Sequence, residues 1–121
     1  HVRNILDHKS TEVFNGKVVV AEGAQQTDSN QSNKNLLLSL DATAFSNPQL
    51  EIYADDVSCG HGSTTGALDE NSIFYLRARG IDQGSAQKML IKAFAKEVID
   101  EFSLSSVQDI SEIALDSWIN G

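Results

Sequence analysis

The chain has 121 residues, with 17 acidic against 9 basic side chains and a formal net charge of −8. This charge excludes binding to nucleic acid or to an anionic membrane surface through general electrostatics. Hydrophobic residues make up 40%, enough for one domain with a core, and no run approaches the ~20 apolar residues of a membrane span. The single cysteine, Cys59, excludes an intrachain disulfide and favours a reducing compartment, so we expect a cytoplasmic protein.

Residues 1–66 are predicted to form strands and turns. Residues 1–7 already alternate as a strand does, and no initiator methionine precedes His1, which predicts a piece of a larger fold. Short β-type runs follow, separated by clusters of turn-forming residues. The runs are 18–20, 36–38 and 50–53, and the turn clusters are 15–16, 22–23, 28–30, 41–42 and 46–48. Pro48, the only proline, lies where a strand is expected to begin.

The amide-rich run at residues 25–35 has two interpretations. It holds six Asn or Gln residues, and the first interpretation is a disordered linker. Because β-type runs flank it, its amides are also suited to stack as a hydrogen-bonded ladder between successive coils of a β-solenoid. The ladder interpretation favours a β-solenoid, and the fold class that we expect for the chain is mainly β.

Residues 67–121 are predicted to form three helices. Asp69 and Asp82 are expected to cap the first two, and Gly80 to end the first. A Ser106-x-x-Asp109 pattern predicts the start of the third. The expected apolar stripes are Ala86, Met89, Leu90, Ala93, Phe94 and Val98 in the second helix, and Val107, Ile110, Ala114, Leu115 and Trp118 in the third.

Residues 55–62, Asp-Asp-Val-Ser-Cys-Gly-His-Gly, concentrate the reactive side chains. If they form an unbroken strand, Val57, Cys59 and His61 share one face, and a thiolate beside an imidazole suits zinc, copper or iron. Two ligands do not close a metal site, so the others would come from elsewhere, such as another chain. The alternative is a bulged turn with a surface histidine and a small buried cysteine.

Asp55 and Asp56 are the other candidates for chemistry. Adjacent carboxylates can hold a cation or act as an acid/base pair, as in a β-helix carbohydrate-active enzyme. Consecutive strand residues face opposite sides, however, so a turn or a solvated rim is favoured. No nucleophile elbow, phosphate-binding glycine loop or zinc-protease motif occurs in the chain. The chain therefore holds no complete catalytic constellation.

A family resemblance is carried by residues 47–66, which read N-P-Q-L-E-I-Y-A-D-D-V-S-C-G-H-G-S-T-T-G. They resemble SufD-type subunits of the SUF iron–sulfur cluster assembly system, whose pattern is P-x-L-E-I-x-A-D-D-V-x-C-x-H-G-x-T-x-G. Blocks within residues 13–20, 24–38 and 68–81 agree as well. The SufB-type paralogue usually reads E-H-E-A-T-T before F-Y-C-R-x-R-G, whereas this chain has C-G-H-G before F-Y-L-R-A-R-G. Residues 103–121 match no pattern of the family.

The resemblance implies a right-handed parallel β-helix over residues 1–66, followed by a C-terminal helical region over residues 67–121. It implies a non-catalytic scaffold subunit that pairs with a SufB-type paralogue and a SufC-type ABC ATPase. It further implies that His61 binds iron or a nascent iron–sulfur cluster shared with the partner subunit, with Cys59 as a second donor of less defined role. No bound cluster is expected in the isolated chain.

Partner contacts are expected at both ends of this arrangement. The last β edge, with Val57, Gly62 and Thr64, is expected to pair with the paralogue, or with a second copy as a homodimer when the paralogue is absent. Residues 82–102 are expected to bind the ATPase, with Glu97 and Asp100 contributing charge. From residue 97 onward the chain has six acidic and no basic residues, which indicates a solvated surface or a basic partner. A homomeric solenoid with a purely structural role is a further alternative.

Overall fold

The computed structural model describes all residues from 1 to 121. The chain divides into two compact units, His1–Ala67 and Leu68–Gly121. The first contains the strands β1 (Val2–Leu6), β2 (Thr11–Val20), β3 (Thr27–Leu37), β4 (Thr43–Ile52) and β5 (Val57–Gly66). The second contains the helices α1 (Glu70–Ala78), α2 (Gln83–Ile99) and α3 (Ser105–Asn120). The fold is therefore mixed, with parallel sheets followed by the three helices that the sequence predicts.

Successive strands alternate between two parallel sheets. A three-stranded sheet has the order β1-β3-β5, and a two-stranded sheet pairs β2 with β4. Paired residues lie 30 to 32 positions apart, as in Val2 with Asn33, Thr11 with Thr43 and Thr27 with Val57. The register is uninterrupted within each pair. Each time the chain returns to the same sheet, after 30 to 32 residues, its side chains therefore lie beside those of the preceding strand in that sheet.

Stacked amide side chains occupy the inward-facing side of the three-stranded sheet. Asn33 and Asn35 are 1% and 4% exposed. Asn4 Nδ2 donates to Asn33 Oδ1 over 3.0 Å and to Asn35 Oδ1 over 2.7 Å, and Asn35 Nδ2 donates to Thr65 Oγ1 over 3.3 Å. The predicted hydrogen-bonded amide ladder is present at Asn33 and Asn35, and the disordered-linker interpretation is wrong, because β3 spans Thr27–Leu37. These bonds satisfy amides that would otherwise destabilise the interior.

Three of the predicted turns are wrong. Residues 15–16, 28–30 and 46–48 lie inside β2, β3 and β4, so the strands are longer than the β-type runs suggested. Neighbouring strands bond these turn-prone side chains to one another, since Asn47 Nδ2 donates to Asn15 Oδ1 over 3.3 Å. Pro48 lies within β4 and not at its start, because β4 is an edge strand where a missing N–H is tolerated.

The ends of α1 and α2 follow the sequence closely. Asp69 accepts a hydrogen bond from the Ser72 backbone N–H over 2.8 Å, and Asp82 accepts one from the Ser85 N–H over 3.1 Å. Both predicted caps are confirmed. Gly80 has φ +88, a left-handed conformation that favours glycine, and it ends α1 as predicted. None of the three helices combines the length and the apolar content that crossing a bilayer requires.

The buried side of α2 differs from the predicted stripe. Its buried residues are Ala86, Ile91, Ala95 and Ile99, whereas Met89 is 48% exposed and Ala93 is exposed. Apolar residues occupy nearly every position from 89 to 95, so helical spacing alone admits two neighbouring stripes. Only packing decides between them.

The helix α3 turns its polar side toward α2. Lys88, Lys92 and Lys96 of α2 contact Asn120, Asp116 and Glu112 of α3 over 2.8, 2.6 and 2.6 Å. Most of the predicted apolar face lies outward, with Ile110 68% and Trp118 50% exposed. The Ser106–Asp109 start is wrong, because the helix begins at Ser105 after Leu104, without a side-chain cap.

Candidate functional site

The candidate site lies on β5, which is a regular strand. Val57–Gly66 pairs residue by residue with 27–36 of β3. Val57, Cys59 and His61 therefore share one face, as predicted. The bulge of the alternative interpretation is absent, although its surface histidine is present. Two strand steps separate Cys59 from His61, so their Cβ atoms are about 7 Å apart. Their binding of a metal stays a prediction.

Neither candidate ligand, Cys59 or His61, forms a side-chain hydrogen bond or an ion pair within the chain. Cys59 is a half-buried free thiol, and His61 is exposed. No group of three or more His, Cys, Asp or Glu side chains suited to a metal ion occurs in the structure. The chain therefore offers two donors side by side, a thiol and an imidazole, and any further ligand of the same ion would come from outside it.

The glycines beside His61 lie on the opposite, outward face of β5 together with Thr64. A Cβ on Gly60 would lie 3.6 Å from Asn30 Oδ1, an ordinary contact, and a Cβ on Gly62 would meet nothing within 4 Å. Neither glycine has a positive φ. The fold of this chain therefore does not itself require glycine at either position, and the space above Gly62 is open to a neighbour.

The far edge of β5 is unpaired. β5 is the last strand of the three-stranded sheet and has ten residues, beginning at half-buried Val57. A long open edge presents a row of backbone donors and acceptors that another strand can bind. The predicted partner residues Val57, Gly62 and Thr64 all belong to this strand.

A neighbour of His61 that the sequence analysis missed is Gln31. It pairs with His61 across β3 and β5, and its side-chain oxygen Oε1 is buried without a hydrogen-bond partner. On β2, Gly16 makes room for it, because a Cβ there would lie 2.0 Å from Gln31 Nε2. The spacing of 30 residues between Gln31 and His61 is the signal that identifies the pair, and it requires knowledge of the register.

Asp55 and Asp56 lie on the exposed bend before β5, as the solvated-rim interpretation predicts. The Asp56 backbone N–H donates to Gln25 Oε1 over 2.8 Å, which fixes the bend to the preceding turn. The ion pairs of the chain are formed by other carboxylates, such as Glu51, Glu112 and Asp116. The segment orients the start of β5.

Glu97 and Asp100 belong to the helical unit, at the end of α2. Asp100 Oδ1 lies 2.9 Å from Lys96 Nζ, which also lies 2.6 Å from Glu112 Oε1. Hydrogen bonds from Lys96 to Glu112 and to Asp100 raise the pKa of Lys96. Glu97 is exposed. Of the two predicted docking residues, Asp100 thus forms part of the connection between α2 and α3.

Comparison with known proteins identifies the family. A family model described as the SufBD core domain of the SUF system for FeS cluster assembly matches residues 1–94. The iron-sulfur cluster assembly protein SufD of Escherichia coli K12 is 50% identical over 98 residues, covering 81% of this chain and 23% of the relative. A SufBD family protein of Synechocystis is 44% identical over 104 residues, covering 86% and 23%.

SufD of Bacillus subtilis 168 is 31% identical over 104 residues, covering 86% of this chain and 24% of that protein. The chain thus spans about a quarter of the length of these curated relatives. The helix α3 lies beyond the residues that the family model matches. The chain belongs to the SufBD family of the SUF system for iron–sulfur cluster assembly, as a SufD-type protein.

Proposed function

We propose that this chain forms part of a non-catalytic scaffold subunit on which iron–sulfur clusters are assembled. The observation that carries the proposal is the placement of Cys59 and His61 on one face of an open edge strand. An imidazole and a thiolate are ligands of iron and of iron–sulfur clusters. The relatives bear the name of assembly proteins, which is consistent with a scaffold.

We further propose that residues 1–66 are coils of a right-handed parallel β-helix. Three features support this: strands that alternate between two sheets, parallel pairing, and a spacing of 30 to 32 residues between paired positions. Parallel crossover connections are right-handed in about 98% of cases. The stacked amides of Asn33 and Asn35 are typical of solenoid interiors.

The paralogous SufB-type subunit is the proposed partner at β5. Its backbone would add to the unpaired edge of the strand, in the manner of β-strand addition. Gly62 and Thr64 present an open outward surface to it, and half-buried Val57 lies at the start of the edge. A second copy of this chain would occupy the same edge when the paralogue is absent.

Iron, or a nascent cluster, is the proposed cargo at this interface. His61 and Cys59 supply two donors, and the partner subunit completes the coordination, because two ligands do not close a site. The imidazole binds in its neutral form and the thiol as thiolate. The free thiol of Cys59 suits a reducing compartment such as the cytoplasm.

The helical unit is the proposed contact of the SufC-type ATPase. Glu97 and Asp100 give the end of α2 a negative surface, which suits a basic partner. Charge reversal at Glu97, as Glu97→Lys, is expected to weaken ATPase binding with unchanged helicity. Asp100→Lys is expected to weaken ATPase binding as well, and it also breaks the contact with Lys96.

The decisive experiment assembles the SufD-type protein carrying this chain with the SufB-type subunit and the ATPase. Cluster formation is measured by iron and sulfide content and visible absorption after anaerobic reconstitution. We expect His61→Ala to lower the cluster yield at least several-fold while native mass shows an intact complex. Cys59→Ala is compared beside it, and Ser63→Ala, one step further along the same row of β5, is the matched control. A normal yield in His61→Ala would refute the proposed role of the imidazole.

Pairing at the β5 edge has a separate test. Gly62→Leu adds a side chain where this chain has nothing within 4 Å, so its own fold is expected to be unchanged. If the paralogue covers this surface, the heterodimer weakens, as measured by analytical ultracentrifugation. Unchanged pairing would exclude Gly62 from the interface.

A further inference from the structure

One buried acceptor in the strand unit lacks a donor, and it lies next to the candidate ligand. Gln31 Oε1 is buried and receives no hydrogen bond. An unpaired carbonyl oxygen in the interior is unfavourable, and such groups in folded proteins are usually satisfied or functional. The donor that would satisfy this oxygen must come from a group close to the inner row of β3.

His61 is the side chain in the matching position. It pairs with Gln31 in the parallel register, so the two side chains leave the same face of adjacent strands, about 4.8 Å apart. The structure gives His61 no hydrogen bond or ion pair of its own, and the residue is exposed. The imidazole is therefore free to rotate about its side-chain bonds toward Gln31.

We propose that Gln31 is a positioning residue for His61. Its Oε1 accepts a hydrogen bond from one ring nitrogen of the neutral imidazole. The other ring nitrogen is then unprotonated and available to an incoming iron or cluster. This inference rests on the proposed function for its purpose, but the hydrogen bond itself is a property of the chain without metal.

The chemical reason is the tautomer of histidine. A neutral imidazole carries one N–H and one free lone pair, and its partner at the N–H fixes which nitrogen can ligate. Histidines that bind metals almost always donate the remaining N–H to a carbonyl or carboxylate oxygen, and this fixes the ring orientation. Gln31 provides such an oxygen from a neighbouring strand, where the sheet holds its backbone in place.

Gly16 supports this arrangement from the other sheet. An added Cβ would come within 2.0 Å of Gln31 Nε2 and 2.6 Å of the Phe14 ring. The absence of a side chain at residue 16 thus admits the Gln31 amide into the interior. Gly16→Ala is expected to displace that amide, and with it the acceptor beneath His61.

The test reads the tautomer of His61 by ¹⁵N NMR of the ring nitrogens in the metal-free chain, at mildly alkaline pH. The His61→Ala spectrum assigns the signals, because the chain contains two other histidines. We expect a single tautomer in the unaltered chain. Gln31→Met, which keeps the length but lacks the oxygen, is expected to raise the minor tautomer to its fraction in an unstructured peptide.

Three further variants complete the design. Gln31→Glu keeps an acceptor and is expected to restore the single tautomer. Gly16→Ala is expected to behave like Gln31→Met. Gln49→Met makes the same chemical change at an exposed position of β4 and is expected to leave the spectrum unchanged.

A peptide-like mixture in the unaltered chain would overturn the inference without any variant, so a failure of Gln31→Met to fold leaves the test intact. A single tautomer that survives Gln31→Met would overturn it too. Neither result depends on cluster yield, which His61→Ala measures separately. The failure of this inference and the failure of the proposed function are therefore distinguishable.

Discussion

Asn33 donates a hydrogen bond from its side-chain amide to Ser46 Oγ over 3.0 Å and so joins the two sheets through the interior. The same amide accepts from Asn4 over 3.0 Å. Asn33 is 1% exposed, so water does not replace these partners. One side chain thus connects three strands, β1, β3 and β4.

Replacing Asn33 should therefore destabilise the strand unit specifically. Asn33→Ala removes the partner of Ser46, leaves Asn4 with only its bond to Asn35 and opens a small cavity, which we expect to cost about 2–3 kcal/mol in the free energy of unfolding. Native-state hydrogen exchange of the β3 amides measures it. Asn47→Ala, which removes an exposed amide bonded only to Asn15 over 3.3 Å, is the control and should cost less than about 0.5 kcal/mol. Equal effects would contradict the role of the interior amides.

Two glycines of the helical unit are expected to respond in opposite directions. Gly80 has φ +88, so Gly80→Ala should destabilise the end of α1 by about 1 kcal/mol. Gly84 lies within α2, has an ordinary φ, and would place a Cβ 3.6 Å from Asp82 Oδ2. Gly84→Ala should therefore stabilise the helix by about 0.5 kcal/mol. Urea denaturation followed by circular dichroism gives both values, and a stabilising Gly80→Ala would disprove the account of that turn.

The two sides of α3 should differ in their sensitivity to truncation. Leu115 is half-buried and precedes Asp116, which contacts α2, whereas Ile110 is 68% exposed. We expect Leu115→Ala to cost about 1–2 kcal/mol and Ile110→Ala less than about 0.5 kcal/mol. Trp118, the only tryptophan, reports the unfolding of this helix by fluorescence. The reverse order would mean that α3 packs through the side that carries Ile110.

Acid should weaken the starts of α1 and α2. Hydrogen bonds from Ser72 and Ser85 hold the pKa of Asp69 and of Asp82 below the ordinary value of 3.8. A lowered pKa in the folded state gives stability that is present above 3.8 and is lost as the pH falls through the folded value. Helicity measured by circular dichroism should decline in that window. The Asp69→Asn, Asp82→Asn double variant keeps neutral caps and should decline less; an identical decline would exclude the two caps as the cause.

Local signals in the sequence predicted the helical unit well. Asp69, Asp82 and Gly80 act within three or four residues of themselves, so their roles are visible in the pattern alone. The start of α3 was missed because no side chain caps it: Leu104 precedes the helix. The buried side of α2 was only partly predictable, since its apolar residues extend most of the way around the helix.

The sequence predicted that residues 1–66 form strands, but it did not predict the bounds of the strands or which residues pair. Asn15 and Asn47 favour turns when each is considered alone, yet they bond to each other on neighbouring strands. Cys59 and His61 were recognised as a pair because they lie two residues apart. Gln31 was not, because 30 residues separate it from His61 and only the register brings them together.

The spacing of 30 to 32 residues between paired strands also bears on the order of events during synthesis. β1 can pair with β3 only after residue 37 has left the ribosome, and β3 can pair with β5 only after residue 66 has done so. Contacts so distant in sequence form slowly, whereas helices pair with their chain neighbours soon after they emerge. We therefore expect pulsed hydrogen exchange during refolding of this chain to protect α1 and α2 before β1, β3 and β5, because the strands depend on the more distant contacts.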